Sequence, residues 1–522
     1  MRSLSTTVTS LLFVGRGQRR RSRRRSPWSW AARGWARPPV TALLPAAPLT
    51  PFGRKLYGPS NGKYRNFPSK FPSSGADVFR LPEERVPTMQ RALTLRAATA
   101  VAAAVVLAAT ATACGSSGPG SGGGSGKVTV WSLQDTALNP VQKKSAGTYN
   151  AASKDSQATL QFFVNDPYKQ KLQTALGSPN APDVFLNWGG GNLSTYVKSG
   201  NVADLSADLD PAFRSRFLPS VLAGGTVDGK VYGVPMEGVQ PVALFYNKDV
   251  FTKAGISTPP ATWQDLLHDI DLMKAEGVTP IALAGSQAWT ELMWMEYLLD
   301  RVGGPGVFAG IQAGKPGAWQ DPAVATALGM IRDLVDRGAF GSNYGSVGQD
   351  SGGADALLSK GRAGMELMGS WEYAGQLATA PDFVKAGKLG WTTFPTVANG
   401  KGDPKDVVGN PSNFFSVTAK SAHRSDAADF IKKTVAEPSY VKDLIDIGQV
   451  PAIAGIEGQL RSAPNADYTT FVYQLVQNAP SFTQSWDQAL DPATAQTMLT
   501  NLQKVFNKQS TPQQFVSAMD AK

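Results

Sequence analysis

The chain has 522 residues, with 51 Lys and Arg against 40 Asp and Glu, but only one Cys and two His. Residues 1–88 hold 17 basic and 3 acidic side chains, whereas from residue 114 onward there are 32 basic and 37 acidic ones. The body of the chain is therefore mildly acidic, which excludes a binder of nucleic-acid backbone, and the Cys and His counts exclude a disulfide framework, a zinc ribbon and an HExxH metalloprotease.

Residues 1–88 carry 11 of the 36 Pro and the block Arg19-Arg20-Arg21-Ser22-Arg23-Arg24-Arg25. Without apolar periodicity such a segment cannot offset its ordering entropy, so it is expected to be a disordered or non-native extension. Ser26-Pro27-Trp28 stands where the apolar run of a twin-arginine signal would begin, which argues against that signal. From Met89 a short basic stretch with Arg91 and Arg96 leads into an Ala/Val/Leu/Thr run over 97–113, the pattern of a secretory signal peptide at 89–113. Cys114 follows Ala111-Thr112-Ala113. This resembles a bacterial lipobox, with Ala where Leu is usual three residues before the Cys, and implies lipidation at Cys114. Gly115 to Gly126 is a Gly/Ser tether. The expected location is the extracellular face of a cell membrane, held through a lipid anchor.

From 127 onward strands and helices alternate. Lys127–Trp131, Asp183–Leu186 and Leu244–Tyr246 read as buried strands, and Tyr168–Leu176 as a helix. Thr262 with Asp265 predicts a helix start after Pro259-Pro260, and Gly277 closes that helix. Beyond about Tyr468 helices dominate, the last one opened by Thr511-Pro512. The alternation predicts an α/β protein with largely parallel sheets. About 400 residues exceed one core, so two lobes are expected.

Four blocks make the reading specific: Tyr232-Gly233-Val234-Pro235 with Leu244-Phe245-Tyr246-Asn247-Lys248-Asp249; Arg362-Ala363-Gly364-Met365 leading to Gly369-Ser370-Trp371; Asn413-Phe414-Phe415-Ser416-Val417; and Gly448-Gln449-Val450-Pro451. Their order resembles extracellular solute-binding proteins of the maltose-binding type. The resemblance implies a two-lobed periplasmic-binding-protein-like fold with a hinge and an interlobe cleft, with 127–240 and 407–450 as lobe 1 and 241–406 and 451–522 as lobe 2. It also implies a monomeric receptor, without catalytic residues, metal or cofactor, that delivers a sugar to the permease subunits of an ABC importer.

A sugar offers hydroxyls around its rim and C–H patches on its faces, so its site combines flat aromatic rings with amides and acids. Nine Trp lie beyond residue 126. Of these, Trp371, in the Gly-Ser-Trp block, Trp188, Trp486, Trp289 and Trp131 stand beside amides or acids and are candidates for ligand stacking. Trp263, Trp294 and Trp391 read as core. Gln240, Glu237, Asn413, Glu291 and Asp135 are the polar candidates. His268 and His423 read as surface residues. Two other functions remain open: a glycoside hydrolase with paired carboxylates, and a receptor for a non-sugar solute such as a polyamine or peptide, since acids and aromatics also suit cations.

Overall fold

The computed structural model describes residues 126–349 and 352–521. The extension 1–88, the signal 89–113, Cys114 and all of the tether except Gly126 lie outside these residues. Among the described residues no helix is long and apolar enough to cross a membrane.

The first sheet contains β1 (Lys127–Leu133), β2 (Gln157–Phe163), β3 (Val184–Asn187), β6 (Val234–Pro235) and β12 (Phe414–Val417), in the order β2-β1-β3-β12-β6. Between its strands run α1 (Leu138–Ala152), α2 (Asn165–Ala175) and α3 (Gly190–Lys198). The small hairpin of β4 (Thr226–Val227) and β5 (Lys230–Val231) turns through Asp228 and Gly229, both at positive φ. The second sheet contains β7 (Gln240–Asn247), β8 (Thr279–Ala282), β9 (Ala363–Gly369), β10 (Leu389–Thr392), β11 (Val407–Asn410) and β13 (Phe482–Gln484). Its order is β13-β11-β7-β9-β8, with β10 also on β7.

Each sheet carries its own apolar core, one built around Phe185, Tyr168 and Phe415, the other around Phe245, Trp294 and Phe506. The expected two-lobed α/β architecture is what forms. The sheets are mixed rather than largely parallel: β1 is parallel to β2 and β3, but β12 is antiparallel to β3, and β7 is antiparallel to β9 and β11. The antiparallel strands are those next to points where the chain changes lobes, so they enter a sheet from the opposite end. Strand β11, expected in lobe 1 from residue 407, pairs with β7 and β13 in the second sheet.

Three crossings join the sheets. Residues 236–239 link β6 to β7, and 411–413 link β11 to β12. The third passes through 449–453, where Val239 donates its N–H to Val450 O at 2.8 Å and Gly238 bridges Pro451.

Local signals in the sequence account for the helices that frame the second lobe. Helix α4 (Trp263–Ala275) starts with a reciprocal cap, Thr262 Oγ1 accepting from Asp265 N–H at 3.1 Å and Asp265 Oδ2 accepting from Thr262 N–H at 2.9 Å. It stops ahead of Gly277 at φ +71°. Helix α5 (Ala288–Gly303) is buried along nearly its whole length, and α6 (Glu372–Thr379) follows directly on β9. The short α7 (Trp486–Ala489) follows β13, and the last helix α8 (Pro512–Asp520) is capped reciprocally by Thr511 and Gln514.

Candidate functional site

The walls of one cavity come from loops at the carboxyl ends of strands in both sheets, where crevices form in open α/β sheets. Gln134 and Asp135 follow β1, Val164 and Asn165 follow β2, and Trp188 follows β3; Trp371 follows β9, Asn410 ends β11, and Ser485, Asp487 and Gln488 follow β13. The cavity holds about 320 Å³, at the small end of the range for small-molecule sites.

Each aromatic wall has a local cause. Asn187 donates to Ser416 Oγ at 2.8 Å and accepts from Gly189 N–H at 3.0 Å, which shapes the turn presenting Trp188. The Trp188 ring lies under Lys169 Nζ at 5.1 Å and edge-on to Tyr168 at 6.0 Å. On the opposite wall Ser370 is pinned at three atoms: its N–H donates to Pro241 O at 2.9 Å, its hydroxyl to Val239 O at 3.0 Å, and its carbonyl accepts from Tyr468 Oη at 2.6 Å. The next residue is therefore aimed, and the Trp371 indole folds back over Gly369, with Trp289 at a ring distance of 6.3 Å.

At the crossings, Glu237 gathers all three chain passages. Its Oε2 accepts from Asn413 Nδ2 at 2.7 Å and its Oε1 from Gln449 Nε2 at 2.8 Å, while its backbone carbonyl accepts from Ser412 Oγ at 3.1 Å. Burial, and then the charge of Asp135, push its carboxyl up to about 7. Burial likewise raises Asp135, although its Oδ1 accepts from the N–H groups of Ala137 and Leu138 at 2.8 and 2.7 Å.

The two lobes touch directly across one side of the cavity. Lys169 on α2 meets Asp487 on α7 at 3.0 Å, Asn192 on α3 donates to Gln488 Oε1 at 2.7 Å, and Gln484 donates to Trp188 O at 2.8 Å. Gly191 allows this approach, since a β-carbon there would stand 2.4 Å from Ala489 O.

Of the ten residues proposed from sequence, the structure brings seven to the cavity: Trp371, Trp188, Trp289, Gln240, Glu237, Asn413 and Asp135. It keeps three away. Trp486 is 1% exposed and stacks on Phe308 at 4.4 Å, with an angle of 6° between the rings. Trp131 is buried on β1 against Phe163 and beneath Lys171. Glu291 is fully buried in the first turn of α5, with neither carboxylate oxygen hydrogen-bonded. Burial raises its carboxyl to about 8.

Sequence reasoning missed Lys169, Asp355, Glu372 and Asp487 on the walls. Two of these directly follow a tryptophan that was singled out: Glu372 shares the wall with Trp371, whereas Asp487 takes it in place of Trp486, since adjacent helical residues point about 100° apart. The cores of Trp263 and Trp294 are as expected; Trp391 is only partly buried, edge-on to Tyr468. His268 is exposed and His423 half-buried. Among the described residues no group of three or more acids, His or Cys has the arrangement of a metal site.

A chamber with a wall from each of two lobes joined by three chain crossings is the geometry of a receptor that traps a small solute. The profile of the bacterial extracellular solute-binding proteins matches residues 130–433, more than half of the chain, and the chain belongs to that family. It is 27% identical over 314 residues to the diacetylchitobiose binding protein of Streptomyces coelicolor, covering 59% of this chain and 69% of that one. It is 24% identical over 333 residues to the multiple sugar-binding protein of Streptococcus mutans, covering 59% and 75%. Among solved structures, a chain from work on xylan utilization by the thermophilic bacterium Caldanaerobius polysaccharolyticus superposes with a TM-score of 0.69 at 27% identity, over 76% of this chain and 99% of that one. A chitin oligosaccharide binding protein superposes with a TM-score of 0.65 at 25% identity, over 76% and 98%.

Proposed function

We propose that the protein is the extracytoplasmic receptor of an ABC sugar importer: it closes on a short oligosaccharide and presents it to the permease, binding without chemistry. The observation that carries this reading is the pairing of indoles from opposite lobes, Trp188 facing the cavity from the first and Trp289 with Trp371 from the second. Flat rings on both sides suit the C–H faces of a pyranose, and the amides and acids between them suit its hydroxyls. The sugar-binding names of the relatives point the same way. The residues proposed to hold the ligand are Trp188, Trp289, Trp371, Gln240, Asn413, Glu237 and Asp135.

The test is a panel of mono- and oligosaccharides followed by thermal shift and tryptophan emission. A saccharide that raises the melting temperature and changes the emission is the expected result; no response across the panel defeats the reading. Incubation with the same panel separates a receptor from a hydrolase, which would release shortened products.

The permease partner, the monomeric state and the anchor at Cys114 belong to the same proposal. The lipobox-like stretch before Cys114 supports an anchor, and mass spectrometry of the native amino terminus would show a diacylglyceryl Cys114 or its absence.

A further inference from the structure

The charge on the cavity wall is lopsided. Asp135, Glu237, Asp355, Glu372 and Asp487 line it, and among the described residues the only Lys or Arg on the wall is Lys169, which Asp487 already holds at 3.0 Å. A neutral sugar does not need this imbalance, because amides supply both donors and acceptors to hydroxyls.

The imbalance is sharpest beside Trp289 and Trp371. There Glu372 is 2% exposed, with Gln376 Nε2 donating to its Oε1 at 2.7 Å and to Asp355 O at 2.8 Å. Burial and the neighbouring acids raise both Glu372 and Glu366, the latter on β9 behind the wall. Two indoles and a pair of carboxylates are what a desolvated cation requires: ring faces that attract it and charged acceptors for its N–H groups.

A second observation lies outside the acid cluster. Asn413 is 6% exposed and lines the cavity; its Nδ2 is spent on Glu237, and its Oδ1 is buried with no partner. Asn410 Oδ1, also on the wall, is in the same position. Unpartnered buried acceptors on the wall of a cavity call for donors from the ligand.

We propose that the solute is an amino sugar whose free amine, protonated to an ammonium, sits between Trp289, Trp371, Glu372 and Asp355. This rests on the reading of the protein as a sugar receptor and names the class of sugar. Burial and the neighbouring acids raise Glu372, and an ammonium beside it favours the ionised carboxylate, so binding is expected to release protons. The affinity for such a sugar therefore rises with pH until the amine itself deprotonates, whereas that of a neutral sugar does not.

The experiment is calorimetry on the intact protein with glucosamine oligomers, their N-acetylated counterparts and unmodified gluco-oligosaccharides, at pH 5.5 and 7.5 and in two buffers of different ionisation enthalpy. The expected result is that the free-amine series binds more tightly by about ten-fold or more, with proton release visible as a buffer-dependent heat. Glu372→Gln removes most of that preference together with most of the buffer-dependent heat. Should this variant fail to fold, the buffer-dependent heat of the unaltered protein still decides. Acetylated or neutral sugars binding as well as the amines, with no proton released, overturns the inference and leaves the sugar receptor standing. If spermidine binds as tightly as the amino sugars, the sugar assignment falls. If no sugar binds at all, both fall.

Discussion

The Trp371 indole lies against the α-carbon of Gly369, so that a β-carbon at Gly369 would come within 1.9 Å of the ring. The glycine is part of the binding wall without touching the ligand. Gly369→Ala is expected to lift the indole off β9, lowering affinity for the preferred sugar about ten-fold while overpacking costs about 1–3 kcal/mol of stability. Titration calorimetry and a melting curve read the two effects separately, and unchanged affinity would remove Trp371 from the site.

Lys169 and Asp487 join the lobes across one side of the cavity at 3.0 Å, the lysine side chain 30% and the aspartate 6% exposed. A partly solvated pair of this kind contributes about 1 kcal/mol to the closed form. Lys169→Met should therefore raise the ligand dissociation rate roughly five-fold with little change in association. Gly191→Ala, which sets a methyl against Ala489 O, should act in the same direction and more strongly. Stopped-flow tryptophan emission measures both, and dissociation rates equal to that of the unaltered protein would show that these contacts do not hold the lobes shut.

Trp188 and Trp486 are both nearly buried yet do different work. Trp188 lines the cavity, while Trp486 stacks on Phe308. Trp486→Leu is expected to cost about 3 kcal/mol of stability and leave affinity unchanged. Trp188→Leu should lose affinity instead, together with most of the ligand-induced change in emission. A reversal of these two outcomes would contradict the placement of the rings.

Glu291 is raised to about 8 and Glu237 to about 7, both mainly by burial, from an ordinary value of 4.5. A carboxyl raised in the folded state favours its protonated form there. The stability it contributes is full below pH 4.5 and is lost as pH climbs through 7 and then 8. The melting temperature should consequently fall from pH 5 to pH 8.5. Because neither oxygen of Glu291 has a hydrogen-bond partner, Glu291→Gln should recover roughly 2–4 kcal/mol at pH 8.5 and almost nothing at pH 4. Identical curves for the two proteins across that range would refute the assignment.

Much of the framework was legible in the residues. β1 starts where the run from Lys127 predicts it, and α4 and α8 start at the predicted Thr caps. The Gly-Ser-Trp block marks the turn after β9, where Ser370 fixes the direction of Trp371. The site was legible only by position along the chain. Trp486 and Glu291 sit at the correct helix starts but face inward, and Asp487 and Trp289 beside them take the wall.

By itself the sequence determined the family, the alternation of strands and helices, and the loops from which a ligand could be held. These are local or ordered along the chain: caps, hydrophobic runs and blocks in a recognisable succession. The tertiary structure alone decided that Glu237, Asn413 and Gln449 meet, that Lys169 reaches Asp487 318 residues away, and that the wall is acidic. Those facts depend on how two separately packed lobes approach each other and on which side of a short helix a residue falls. Neither is encoded in any local stretch of chain.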